Sequence, residues 1–424
     1  MSALPHIALR SLRNRSFTAV LTVVTVALSV MLLVGVERMR LDTREAFLRS
    51  VSGTDLIVGA RSHPVQLLLY SVFRLGDPTN SLDWANVERL QADPRVAWVV
   101  PVSLGDSHRG FRVVGTAPDY FTRIGYAGDR QLGFQSGRAF AGGTGDGLFE
   151  AVVGADVAQQ LGYATGDEIV LAHGTARVSV HQHEDRPFTV VGVLARSGTP
   201  ADQGVFVSLP AIEAIHLDWR GGTRIAAGDP HATIDPARLQ PSSVSALFLG
   251  LNARRDTFAL QREINTGRDE PLSAILPGVA LQQLWGLLGN VERALKLAAA
   301  AVVAAALMVL LTTTLASLNE RRREMAILRS VGAGPRHVFG LLLLEAGGLA
   351  LAGGALGLLL LELVLRIAAP SLQANYGLFL PPRWPALAEL RLVGGVLAAG
   401  VGVGLLPAIL AWRRSLQDGM TVRH

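Results

Sequence analysis

The densest grouping of metal-ligand side chains in the 424-residue sequence is His181-Gln182-His183-Glu184-Asp185. Along a strand, residues two apart point to the same face, so His181 and His183 can offer two imidazoles to one ion while Glu184 or Asp185 adds an oxygen from the turn. Two ligands seldom fix zinc without a third and a fourth, and other histidines, such as His63 and His108, are scattered along the chain. The expectation is weak or absent metal binding, with these residues solvated at a strand end. Nucleotide chemistry is excluded more firmly. A P-loop places a lysine after spaced glycines to neutralise phosphate, then a hydroxyl to hold Mg2+. The only lysine, Lys296, follows Arg293-Ala294-Leu295 and enters an apolar segment. The chain therefore has no ATPase motif and is not expected to be an enzyme. Gly142–Gly147 lacks the strand and following helix that phosphate cradling needs. No G-x-S-x-G elbow marks a serine nucleophile, and the absence of Cys removes thiolate sites and disulfides.

Glu345 and Glu362 are ionisable residues in or beside otherwise apolar stretches, a position that marks ion pathways by default. No relay of acidic or His residues accompanies them, and Glu345 is expected to pair with Arg329 or Arg336 near the cytoplasmic end of its helix. Gly353, Gly354 and Gly357 form a small-residue patch suited to close helix contact. These stretches belong to a chain that is 50% hydrophobic and 17% charged, with mean hydropathy +0.35, which is a membrane composition. Four segments reach the length of about 20 residues that crosses a bilayer core: 17–38, 297–318, 338–365 and 392–412. The first is read as an uncleaved span, since no small-residue cleavage site closes it.

Arg10, Arg13 and Arg15, then Arg321, Arg322, Arg323, Arg329 and Arg336, then Arg413, Arg414 and Arg423 flank these spans. The positive-inside rule places all three groups, and hence both termini, in the cytoplasm. Residues 39–280 and the loop 366–391 then lie outside, although Arg366, Arg383 and Arg391 blur the contrast for that loop. Residues 1–16 are expected to form an amphipathic interfacial helix with Leu4, Ile7, Ala8 and Leu12 apolar, and 413–424 a cytoplasmic tail. The formal charge of +5 rests almost wholly on Arg and is read as compositional, with no nucleic-acid partner.

The outer segment reads as α+β. Strand patterns fall at Asp55–Val58, Ala97–Val102, Phe111–Gly115, Ala151–Gly154, Glu168–Leu171, Arg177–His181, Phe188–Leu194, Gly204–Ser208 and Val244–Leu249. Helical patterns fall at Trp84–Ala92, Asp156–Leu161, Pro210–Ile215 and Arg254–Ile264. Two lobes with a looser Gly-rich join near 126–147 are expected. The run Val65–Phe73 is too short to span; it either fills the core or lies at the membrane surface on the route of an amphipathic substrate. Leu281, Leu284, Leu288, Val291 and Leu295 keep a 3,4 spacing through a stalk at 281–296, with no Pro before the second span. That spacing is a coiled-coil seam, or alternatively the core face of an outer-domain helix.

The most specific feature is the cytoplasmic segment 319–337. Apolar Met325, Leu328 and Val331 stand at helical spacing among Glu320, Arg321, Glu324 and Arg329, and Gly332 ends the run. Apolar knobs on a basic loop suit a socket on another protein. With Leu9–Arg15 before the first helix, Glu345 followed by Gly353, Gly354 and Gly357, and Pro407-Ala408 near the end, the order of parts resembles the MacB/FtsX-like permeases of ABC transporters. The resemblance implies four transmembrane α-helices with a large α+β extracytoplasmic domain, a MacB-like periplasmic core, inserted between helices 1 and 2 of an FtsX-like permease.

It also implies a bacterial inner-membrane protein that forms a dimer, expected to be a homodimer, and works with two separate ABC ATPase subunits. Those subunits would bind ATP and Mg2+, while this chain holds no cofactor. Membrane lipid and a periplasmic partner complete the expected contacts. The implied activity is mechanotransmission for export or extraction, without a central channel. A signalling scaffold that switches a cell-wall hydrolase is the alternative. A role in zinc handling, resting on the His181–Asp185 cluster alone, is the third.

Overall fold

The computed structural model describes residues 15–50, 53–126, 130–143, 145, 147–174, 183, 186–217, 219–220, 223–224, 239–320, 334–376 and 383–417. The chain forms two compact units: Met1–Asp42 with Gly289–Pro370 and Leu380–His424, and Thr43–Leu288 with Ser371–Phe379.

In the second unit, eleven strands make one mixed sheet. They are β1 (Leu56–Ala60), β2 (Val96–His108), β3 (Phe111–Thr116), β4 (Phe134–Gly137), β5 (Glu150–Val153), β6 (Glu168–Ile169), β7 (Ala172–His173), β8 (Phe188–Leu194), β9 (Gly204–Ser208), β10 (Ala246–Leu251) and β11 (Leu272–Ile275). The order is β11-β1-β10-β2-β3-β9-β5-β8-β4, with β7 added to β2 and β6 to β8. The pairs β9/β3 and β8/β5 are parallel, and β1/β10, β2/β3 and β2/β10 are antiparallel. Strands of both expected lobes thus share one sheet. The Gly-rich stretch that was expected to join them carries the edge strand β4.

Burial on both faces explains the sequence of β1, whose five residues are all covered. Ile57 faces a core containing Tyr70, Phe121 and Phe206, whereas Leu56 and Val58 face one containing Val87, Leu90 and Leu260. Of the two positions expected for Val65–Phe73, the core is the one observed: Leu67, Leu68, Tyr70, Val72 and Phe73 belong to the first of these cores, and the membrane-surface alternative is set aside. His63 Nδ1 accepts the Val65 N–H at 3.3 Å and Pro64 opens the helix Pro64–Ser71. Leu67, Leu68 and Tyr70 are then directed inward. Gly59 permits the close approach, since a Cβ there would come within 2.7 Å of both Leu67 Cδ1 and Tyr70 Oη. At the end of the interior strand β9, Ser208 Oγ accepts the Ala211 N–H at 3.2 Å and starts the helix Leu209–His216, whose apolar face packs on Val113, Val205 and Val207.

The first unit is built from the greater part of the helices Ser16–Arg49, Pro277–Glu320, Pro335–Tyr376 and Leu387–Gln417, each with a window long and apolar enough to cross a membrane. They extend past the apolar windows where charges pair along the helix. Glu37 and Arg40 (i,i+3, 2.6 Å) and Arg38 and Asp42 (i,i+4, 4.0 Å) carry the first helix beyond 38. Val26, Val30, Val34, Ala306, Leu361, Val393 and Val396 form the shared core of this unit. Leu28, Met308, Leu359 and Leu406 are exposed, as suits surfaces facing lipid or another helix.

Candidate functional site

Helix contact in the membrane unit depends on glycine. A Cβ at Gly353 would lie 2.6 Å from Val26 Cβ, and one at Gly357 would lie 2.6 Å from the Ala27 carbonyl oxygen, so the first and third spanning helices meet along this four-residue step. Gly354 faces Val393 and Leu397 of the fourth helix, at 3.5 and 3.7 Å. Two further glycines, Gly400 and Gly404, admit Ala350 and Ala346 in the same way. Pro407 lies inside the fourth helix, beside Ala408, which packs with Val338 and Leu342. Glu345 is buried in the third helix; Arg329, one of its two expected partners, lies outside the described residues.

Toward one end of the bundle the spanning helices carry a charged collar. Arg38 Nη1 donates to Glu362, and its Nη2 donates to the Arg383 carbonyl oxygen at 2.9 Å. Arg383 Nη2 in turn donates to Asp42 Oδ1 at 2.9 Å and to Glu389 Oε1 at 2.8 Å. Arg38, Asp42 and Glu389 are buried. Burial alone would favour a neutral Arg383, but Asp42 and Glu389 outweigh it and raise its pKa. Of these residues only Glu362 and Arg383 are singled out by the sequence, and Arg383 there looks like noise in the topology signal. The lone Lys296 is also paired, 3.3 Å from Glu37 of the first helix.

The stalk seam divides in two. Leu281 is 1% exposed within the outer-domain core, and Leu284 and Trp285 pack against the same cluster. Leu288, Val291 and Leu295 are 39%, 57% and 50% exposed. Of the five positions, Leu281 and Leu284 lie on the core face of a domain helix, the alternative reading of the spacing, and Leu288, Val291 and Leu295 are exposed. All of them lie on one helix, Pro277–Glu320, of 44 residues.

Of the coupling segment, Glu320 is the last residue of that helix, while Arg321, Glu324, Met325, Leu328, Arg329, Val331 and Gly332 lie outside the described residues. His181, Glu184 and Asp185 lie outside them too. His183 is buried and joins Asp106, His173 and His216, a grouping that spacing along the sequence does not reveal.

Two family models match the chain: the MacB-like periplasmic core domain over residues 19–265, and the FtsX-like permease C-terminal domain over 296–418. The chain belongs to the MacB/FtsX-like ABC permease family. The periplasmic region of MacB from Actinobacillus actinomycetemcomitans matches at 11% identity and TM-score 0.33, covering 56% of this chain and 95% of that one. The extracellular domain of the noncanonic ABC-type transporter YknZ from Gram-positive bacteria matches at 14% identity and TM-score 0.30, covering 52% and 99%. No curated protein matches the chain. The four spans and the two family models describe an inner-membrane permease with a periplasmic domain. For this MacB/FtsX-like permease, the outer unit is the periplasmic core and the glycine-packed helices form the permease unit.

Proposed function

We propose that the chain is the non-enzymatic permease subunit of an ABC transporter, converting ATP hydrolysis on a separate ATPase subunit into movement of its periplasmic domain for export or extraction. Both termini are cytoplasmic and two copies assemble side by side. The observation that carries this reading is the helix Pro277–Glu320, in which Leu281 of the periplasmic core and Glu320 at the edge of the cytoplasmic segment belong to one rod. At about 1.5 Å per residue it is about 66 Å long, enough to cross a bilayer core of about 30 Å and still reach out as a stalk. Movement at its Glu320 end can be passed along the continuous backbone of this helix, with no membrane channel required. The uncharged stretch from Leu297 to Ser317 supports this, because midplane transport sites are typically built from broken helices.

The coupling segment supplies the test. If Met325, Leu328 and Val331 fill a socket on the ATPase, each buried side chain is worth roughly 1.5–3 kcal/mol. Leu328→Asp should then abolish co-purification with the cognate ATPase and uncouple its hydrolysis in lipid, with membrane insertion retained. Charge reversal at Arg322 should matter less, since exposed pairs contribute about 0–1 kcal/mol. Co-purification and ATPase rate that both survive Leu328→Asp would contradict the proposal and favour the scaffold alternative.

A further inference from the structure

Four chain segments converge in the periplasmic core on a group of ligand atoms that the permease reading does not use. Asp106 lies on β2, His173 stands opposite it on β7, His216 closes the helix Leu209–His216, and His183 lies in the segment leading to β8. The four ligand atoms all lie within 4.8 Å of one another. Three of their separations are tighter. His173 Nδ1 is 3.2 Å from Asp106 Oδ1 and 3.2 Å from His216 Nε2, and His216 Nε2 is 3.5 Å from Asp106 Oδ1.

These lengths discriminate between two readings. Four ligands at about 2.0–2.1 Å from a tetrahedral zinc stand about 3.3–3.4 Å apart, the edge of the tetrahedron. A simple Asp–His hydrogen bond explains one such contact but does not call for a second imidazole nitrogen at the same separation from both members. We propose that Asp106, His173, His183 and His216 form a tetrahedral site for a divalent transition metal, with zinc the best fit to three imidazoles and one carboxylate.

The surroundings prepare these groups as ligands. His216 Nδ1 is 2.8 Å from the Ile212 carbonyl oxygen, a bond that fixes the proton on Nδ1 and leaves the Nε2 lone pair facing the cluster. Asp106 is buried among these imidazoles, with its Oδ1 3.2 Å from His173 Nδ1 and 3.5 Å from His216 Nε2. The His183 N–H donates to the Leu171 carbonyl at 2.9 Å, anchoring the backbone of that ligand. Asp106 and His183 are 3% and 2% exposed, while the His173 side chain is 50% exposed and gives an ion an entry from solvent. His183, already a ligand candidate from its own neighbours, thus gains three partners from distant parts of the chain.

The full-length permease, purified in detergent without a polyhistidine tag and stripped with EDTA, is titrated with ZnCl2 and with CoCl2. One zinc per chain with sub-micromolar affinity, and the intense visible absorption of tetrahedral Co(II), are expected. His173→Ala changes the most exposed ligand and should weaken zinc binding by at least about tenfold, since even outer-shell losses reach that size. His337→Ala, in an exposed His remote from the cluster in sequence, should leave binding unchanged. Circular dichroism verifies folding, and X-ray absorption at the zinc edge of the unaltered protein needs no variant. A four-coordinate shell with imidazole scattering supports the site. Absence of zinc binding at micromolar metal, a six-coordinate hydrated shell, or undiminished binding in folded His173→Ala overturns it.

Discussion

Arg383 holds Asp42 and Glu389 at once: its Nη2 lies 2.9 Å from Asp42 Oδ1 and 2.8 Å from Glu389 Oε1, tying the ends of the first and fourth spanning helices together. Glu389 is fully buried and Asp42 nearly so, so neither carboxylate has water to replace this guanidinium.

Removing it should therefore be severe. Arg383→Ala is expected to destabilise the membrane unit by about 3–5 kcal/mol, the usual result of leaving a buried charge without its partner. Arg383→Ala combined with Asp42→Asn and Glu389→Gln should recover much of the loss. Thermal unfolding in detergent measures both. A midpoint unchanged by the single substitution would show that the collar is solvated.

Helix spacing gives a second expectation. Gly353→Val should separate the first and third helices, because even the added Cβ would come within 2.6 Å of Val26 Cβ; overpacking of this kind typically costs about 1–3 kcal/mol. Gly348→Ala, where a Cβ meets nothing within 4 Å, should be neutral or slightly stabilising. Equal stability of the two variants would count against close packing at Gly353.

The divided stalk predicts two different phenotypes along one helix. Leu281→Ala empties a buried core position and should destabilise the periplasmic domain by about 2–5 kcal/mol. Val291→Asp lies on an exposed stretch, so folding should persist while the proposed dimer weakens. Light scattering and unfolding curves separate the effects. A monomeric Leu281→Ala of normal stability, or an unfolded Val291→Asp, would reverse the assignment.

Acid should act through Glu150. The hydrogen bond from Arg138 lowers its pKa, burial opposes that, and the Ala141 N–H at 2.8 Å assists. A carboxyl lowered in the folded state contributes stability that is present above its unfolded value, near 4.5, and lost as pH falls through the folded value. Wild type should therefore lose its stability advantage over Glu150→Gln as pH drops below about 4.5. A constant difference in urea midpoint between pH 7 and acid would refute the linkage.

Much of this architecture is legible in the sequence where one local signal dominates. The spans follow from long apolar runs with few charges, and Phe188–Leu194 and Gly204–Ser208 are read to the residue because apolar strand patterns there end at clear turns. The short strands Phe134–Gly137 and Ala172–His173 escape: the first is largely exposed and the second is two residues long, so neither carries a pattern. The collar and the His cluster escape for another reason. Asp42 and Arg383, or Asp106 and His216, are brought together by helix packing and by strand order, and distances of that kind leave no trace in local spacing. Leu281 and Val291 share one heptad pattern yet meet different surroundings, a difference that periodicity cannot express.

Under the proposed function, nucleotide on a separate ATPase moves the stalk. Leu287, 64% exposed on the helix Pro277–Glu320, is a suitable label position. Spin labels there in the assembled complex, reconstituted in lipid, report the distance between the two copies by pulsed dipolar spectroscopy. The distance distribution should shift between the nucleotide-free and ATP-trapped states, and Leu328→Asp should remove the shift. An identical distribution in both states, in a preparation that hydrolyses ATP, would contradict it.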